Sequence, residues 1–425
     1  MNHSIPAIFR RYRDNASNLI SLVAVNFVTA GLGFVTNVAL ADHLGSSGFG
    51  RLSYALAVGM VCMTVALFGM GRTFVREVIH FPDRARELVY GSFAVRVAVV
   101  AACAAGTLLL RRQLHLEPSQ VLIVVATTLT ALHLQGLYDA WGRIRLHAGY
   151  FFVQRAAYFA LVWFLLALDP DELTLWSIGG GLLGATVLGL VLQYAWALPK
   201  LGGSAGVDVG AAARYLIRSN LWVWLGAIAG LSFVNLNQIV VKHFHGDAAL
   251  GRFAACLLLV NVSNLFLTQI ARIGAPGAAR CTRPGVPLAT RRAFLGKYLA
   301  VIVGASLVPA LPCIVAPSRL LALFFTAEYG AEGTTLRLLG FYVVAIGVAL
   351  VATQFMVVLR LEKQFFVLVA VAGGLSLVTS LVLVPRWSGY GAALSLLVVH
   401  SLTILASLAL VLRKLSSAAT GEELV

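Results

Sequence analysis

A chain of 425 residues that is 60% hydrophobic and only 12% charged lies far outside soluble usage, where about a quarter of residues are charged. Its apolar runs are continuous, without two-residue alternation, which excludes a transmembrane β-barrel. The net charge of +15 is dispersed over many short basic segments, so attraction to anionic lipid heads and topology account for it and nucleic-acid binding is not needed.

Windows of about 20 residues, enough to cross roughly 30 Å of hydrocarbon, predict an all-α integral membrane protein with about twelve transmembrane helices. They fall at 16–41, 51–71, 88–110, 119–138, 149–168, 174–198, 215–241, 249–271, 294–316, 335–359, 364–384 and 388–412. The first follows Arg10, Arg11 and Arg13 and ends on Ala39-Leu40-Ala41, which resembles a signal-peptide cleavage site. A cleavable apolar region runs only about 7–15 residues, so this longer segment reads as a retained helix. Asn26, Thr29, Gly33 and Asn37 share one of its faces.

The connector HLGSSGFGRL carries Arg51, and Arg72 and Arg76 mark the opposite end of the second helix. Arg96 is the most expensive residue in the chain. Counted from residue 88 at about 1.5 Å per residue it lies roughly 12 Å into the membrane, where a charge costs about 2.5–3.5 kcal/mol or more. A cation for an anionic ligand, pairing with Asp139 or Glu77, and snorkelling are the three readings open to it. His133 and Gln135 in the fourth segment, like His400 in the last, read most simply as hydrogen-bonded packing residues. Asp169, Asp171 and Glu172 surround Pro170 in a short solvated turn.

The seventh segment carries Trp224, Asn235, Gln238 and Lys242. The connector HFHGDAALGRF follows, with Arg252. In the eighth segment Asn261, Asn264, Thr268 and Arg272 fall at i, i+3, i+7 and i+11, a polar stripe on an apolar helix. Any one of these amides could be helix-to-helix glue; the three sets together favour a cavity lining. Pro309 and Pro312 can kink the ninth helix. Five cysteines without CxxC spacing indicate neither a disulfide framework nor a metal site.

Lys and Arg concentrate on the side holding Arg10, Arg76, Arg145, Arg272 and Arg291, which places both termini in the cytoplasm. The first half is also repeated. Ser17-Asn18-Leu19, His43, Gly50-Arg51-Leu52 and Arg72 recur as Ser219-Asn220-Leu221, His243, Gly251-Arg252-Phe253 and Arg272, about 200 residues later. Six helices per repeat predict two parallel six-helix bundles, residues 1–200 and 201–425, around a central cavity that rocking would open alternately to either side.

The stretch NLISLVAVNFVTAGLGFVTNVALADHLGSSGFGRLSYALAVGMV, followed by GMGRTFVRE, resembles the opening of the O-antigen and exopolysaccharide flippases. That is the polysaccharide-biosynthesis branch of the superfamily that includes the multidrug and toxin extruders and the peptidoglycan-lipid flippases. Gly71-Arg72 and Arg76-Glu77 match the phrase at the end of the second helix. Asp247 to Ala254 keep the Gly, aromatic and Ala of the second connector, while Asn237-Gln238 stand where an acidic residue is frequent.

The resemblance implies a bacterial inner-membrane flippase for an undecaprenyl-pyrophosphate-linked oligosaccharide. Its partners would be this polyprenyl-linked glycan, membrane lipids, and polysaccharide polymerase or export proteins. No cofactor or metal is expected; a proton or sodium gradient is the candidate energy source. Substrate-binding candidates are Arg72, Arg76, Arg96 and Arg272 for phosphates, Asn26, Asn37, Asn235, Gln238, Asn261 and Asn264 for sugars, and Arg51 and Arg252 for the head group on the outer side. A drug extruder would call for intramembrane carboxylates, which the first, second, seventh and eighth segments lack. A peptidoglycan-lipid flippase shares the pyrophosphate but usually has more helices. A glycan enzyme would need a large polar loop or paired carboxylates, so no catalytic activity is expected.

Overall fold

The computed structural model describes residues 5–201, 208–230, 235–282 and 286–417; the side chains of 5–23, 71–73, 222, 226, 229, 362 and 417 lie outside the description. Arg10, Arg11, Arg13 and the candidate Arg72 are among the latter. The described residues are almost wholly helical and contain no strand.

The helices are α1 (Ile5–Leu67), α2 (Met70–His80), α3 (Ala85–Leu109), α4 (Pro118–Leu129), α5 (Gln135–Ala140), α6 (Ile144–Leu168), α7 (Leu175–Ala197), α8 (Val209–Gly230), α9 (Asn235–Cys281), α10 (Leu288–Val315), α11 (Pro317–Phe324), α12 (Gly333–Val358) and α13 (Glu362–Ser417). Among the described residues nine helical stretches are long and apolar enough to cross a membrane. Three of them contain a break, at Gly45 in α1, Gly246 in α9 and Ser388 in α13. Each break divides its stretch into two arms. The tally comes close to that expected from the sequence.

The repeated connectors are therefore breaks of a single residue rather than loops. Gly45 (φ +63°) and Gly246 (φ +77°) occupy the same place in the two repeats, and both sit in the left-handed region that a side chain enters only at a cost. The helix resumes directly after each break, so the two arms meet with almost no connecting chain.

The chain packs as two compact units, Met1–Thr36 with Val58–Ala227, and Asn37–Ala57 with Ile228–Val425. These boundaries differ from an equal cut after residue 200 in two places, each with a packing reason. Residues 37–57 join the second unit because Gly50 and Gly251 bring two backbones into direct contact. A Cβ on Gly50 would fall 1.8 Å from the Asp247 carbonyl oxygen, and one on Gly251 1.8 Å from that of Ser46. Residues 201–227 join the first unit, and there Trp224 stacks on Phe68 at 4.5 Å and donates its indole N–H to the Val65 carbonyl at 2.8 Å.

The interior of the first unit is built from Phe74, Leu88, Leu134, Leu137, Tyr138 and Leu216. In the second, α12 packs against α9, α10 and α13, with Leu336, Leu339, Val343 and Phe355 fully buried.

Candidate functional site

Within the first unit, the most polar interior feature is a helix break. α4 ends at Leu129, a 3-10 turn covers Thr130–Leu132, and α5 starts at Gln135. No Pro or Gly causes it. Thr127, Thr128 and Thr130 turn their hydroxyls onto the carbonyls of Ile123, Val124 and Thr127 at 2.8, 2.7 and 2.6 Å, the kind of local bonding that competes with a regular helix.

In an apolar medium the freed backbone groups need partners, and four of them find one on a neighbouring helix. Arg96 donates from Nη1 to the carbonyls of Ala131 at 2.9 Å and His133 at 3.1 Å. Tyr194 donates to the Leu132 carbonyl at 2.9 Å, and the Leu134 N–H bonds Gln193 Oε1 at 2.9 Å. Tyr138 closes the network on the Gln193 carbonyl at 2.8 Å.

Arg96 is 5% exposed, and its Nε and Nη2 are held by Ser92. Neither Asp139 nor Glu77 pairs with it. The carbonyl dipoles that α4 gives up are what make the buried cation affordable, so its employment here is as a clamp on the break. A pairing with carboxylate, one of the readings of the sequence, is corrected by this geometry.

In α2, Glu77 is buried and takes two hydrogen bonds from Arg76, Nη2 to Oε1 at 2.8 Å and Nε to Oε1 at 3.2 Å, plus the Tyr215 hydroxyl on Oε2 at 2.5 Å. Burial acts to raise this carboxyl, but Tyr215 and Arg76 outweigh it and hold it below the ordinary carboxylate range. Arg76 is therefore exposed yet already committed to a carboxylate. Arg84 is likewise paired, to both oxygens of Glu87 at 2.9 and 3.0 Å.

In the second unit the two connector arginines are also paired. Arg51 lies 3.7 Å from Asp247, which binds Lys242 at 2.9 Å, and the Lys242 ammonium sits 4.0 Å above the Tyr54 ring. Arg252 contacts Glu332 at 3.3 Å. Glu328 accepts the Ser46 N–H at 2.5 Å, and Tyr329 donates to the Ala41 carbonyl at 2.9 Å. The two copies of the Gly-Arg phrase thus each hold a carboxylate.

The amides divide cleanly. Asn220 and Asn237 are fully buried. Asn237 donates to Ser376 at 3.3 Å and accepts from Ser380, which shares a network with Ser395 and so ties α9 to both arms of α13. The Asn237 amide is interhelical glue, whereas Asn220 donates to the Leu216 carbonyl of its own helix at 2.8 Å. Asn26, Asn37, Asn235, Gln238 and Asn264 are half-buried, and Asn261 and Arg272 are exposed.

The opposite side of the same α9 arm is closed, with Ala255, Val260 and Leu267 buried. An amide and a guanidinium left uncovered are costly against hydrocarbon, and here they stand beside the exposed Val262, Leu265 and Ile273. The sequence missed Gln193, Tyr194 and Tyr215 as functional supports, because their partners are backbone carbonyls or a carboxylate remote along the chain. No group of three or more His, Cys, Asp or Glu suited to a metal occurs among the described residues.

Comparison with known proteins agrees with this architecture. The lipid II flippase MurJ in an inward closed conformation superposes with a TM-score of 0.72 at 10% identity, covering 94% of this chain and 90% of that one. An inward-facing multidrug resistance MATE transporter of the MOP superfamily gives 0.70 at 10% identity, covering 92% and 96%. A MATE transporter of Vibrio cholerae gives 0.59 at 15% identity, covering 95% and 97%. At these identities the likeness shows the fold alone. No curated protein matches the sequence significantly. Residues 16–273, more than half of the chain, match the family described as polysaccharide biosynthesis protein, and the chain belongs to that family.

Proposed function

We propose that the protein moves an undecaprenyl-pyrophosphate-linked oligosaccharide from the inner to the outer leaflet of the bacterial cytoplasmic membrane by alternating access. The cargo would serve O-antigen, capsule or exopolysaccharide synthesis. Family membership supports a role in polysaccharide biosynthesis, and the MOP-superfamily fold supports transport rather than catalysis. The observation that carries the cargo class is the polar stripe on α9, where Asn261 and Arg272 are exposed and Asn264 half-buried. Asn261, Asn264 and Arg272 offer amides for sugar hydroxyls and a forked cation for phosphate. Asn37, Asn235 and Gln238 of the second unit and Asn26 of the first are half-buried and offer further amides.

The polyprenyl tail needs no protein site, since it remains in lipid. Both termini would be cytoplasmic, so the paired Arg51 and Arg252 would sit at the outer end. There a developing phosphate contact would have to displace Asp247 or Glu332. Deletion of the gene in its host tests the reading. Lipid-linked oligosaccharide is expected to accumulate on the inner leaflet with loss of surface glycan, and unchanged surface glycan would refute it.

A further inference from the structure

The first unit carries an open cleft of about 590 Å³ lined by Ala211, Arg214, Tyr215, Arg218 and Ser219. All five lie on one face of α8, at spacings of three, four, seven and eight. Every acidic group around it is already engaged. Glu77 holds Arg76 and the Tyr215 hydroxyl, Glu87 holds Arg84, and Asp208 accepts the Ala211 N–H at 2.8 Å at the start of the helix.

The two arginines of the cleft are not engaged in this way. Arg214 makes only a 3.3 Å bond from Nε to the Gly210 carbonyl of its own helix, and Arg218 has no polar partner among the described residues. Both are exposed. Between them stands Tyr215, fixed in place by Glu77 and flanked by the Arg84 guanidinium 5.9 Å from its ring centre.

The neighbouring strip of the helix, Ile217, Leu221 and Leu225, is apolar and uncovered, at 38%, 40% and 41% exposure. The cleft therefore sits on a seam where a polar face meets a lipid-facing one. A soluble anion would gain nothing from such a seam, whereas a phosphate carried on a hydrocarbon chain satisfies both sides at once. The volume is within the range of small-molecule sites and leaves room beside a phosphate for a further polar group.

We infer that Arg214 and Arg218, with the hydroxyl of Ser219 beside them, form a binding site for a lipid-borne phosphate. Resting on the function proposed above, the site is where the pyrophosphate of the cargo first docks. It lies near the mouth of α2 and α3, on the side that the basic loops assign to the cytoplasm. A bulk phospholipid offers the same chemistry, and the test separates the two sources.

The full-length protein, purified in detergent, is titrated with undecaprenyl pyrophosphate, with phosphatidylglycerol, and with inorganic pyrophosphate. The double substitution Arg214→Gln, Arg218→Gln is compared with wild type and with Arg214→Lys, Arg218→Lys. Loss of one charge-assisted contact weakens binding about tenfold, so the Gln pair is expected to bind the polyprenyl pyrophosphate at least tenfold more weakly, with the Lys pair intermediate. A loss confined to the polyprenyl compound assigns the site to cargo, and an equal loss for phosphatidylglycerol assigns it to the surrounding lipid.

Inorganic pyrophosphate binding as tightly as the polyprenyl form would overturn the lipid requirement. Equal binding by wild type and the Gln pair would overturn the site. Wild-type titration at low and high salt provides a measurement independent of how the variants fold: affinity must fall as salt rises. The two proposals fail differently. Unchanged binding with intact glycan transport removes this site alone, whereas phosphate binding by a protein whose deletion leaves surface glycan unchanged removes the transport reading.

Discussion

Two residues of one type do opposite work in α9, and burial alone separates them. Asn237 is sealed among Ser376, Ser380 and Ser395, while Asn261 is uncovered. Asn237→Leu should lower stability by about 1 kcal/mol, the usual worth of interhelical polar glue in a membrane, read as a fall in thermal midpoint of the detergent-solubilised protein. Asn261→Leu should leave that midpoint unchanged or raised and lower glycan transport. Equal effects on both readouts would show that the exposed stripe has no aqueous role.

Arg96 makes a comparable point about partners. Its place inside an apolar segment is legible from the sequence, but what it touches is not, because carbonyl oxygens have no letter. Arg96→Ala leaves the Ala131 and His133 carbonyls without donors, at about 1–3 kcal/mol each. The expected result is a large loss of folded protein, and Arg96→Lys, whose point charge cannot reach Ser92 and both carbonyls together, should be intermediate. A stable Ala variant with impaired phosphate binding would instead return Arg96 to the cargo.

At the level of elements, breaks divide into those written in glycine and those written in hydroxyls. Gly45 and Gly246 stand inside Gly-rich phrases that are visible as punctuation, although their spacing suggested turns and the structure contains single-residue breaks. The break between α4 and α5 escaped notice because Thr127, Thr128 and Thr130 read as ordinary residues of an apolar run, and the side chains that stabilise it come from α3 and α7. Periodicity reports which face of a helix is apolar. It does not report where a helix exchanges its own hydrogen bonds for those of its neighbours.

For the whole molecule, composition was enough for the membrane and for the all-α class, since no soluble core could absorb so many apolar residues. The repeat is read from the sequence and the compact units from the packing. An internal repeat records how a chain was assembled, whereas compact units record where its side chains now pack, and the two disagree at residues 37–57 and 201–227. The sequence offered the amides and cations as candidates; the pairing of Arg51, Arg76 and Arg252 with Asp247, Glu77 and Glu332 needed coordinates.

The crossing at Gly50 and Gly251 is reciprocal: Gly50 abuts Asp247, and Gly251 abuts Ser46, which holds the place in the first phrase that Asp247 holds in the second. Steric damage at such a place is shared. Gly50→Ala or Gly251→Ala alone forces the backbones apart and should cost several kcal/mol, beyond the about 1–3 kcal/mol of ordinary overpacking. Once one methyl has opened the gap, the second has less left to disturb, so the double variant should cost clearly less than the sum of the singles in an unfolding cycle. Each twin glycine thus polices the other: the first substitution at either copy meets the full barrier, and neither copy of the phrase is at liberty to wander by itself.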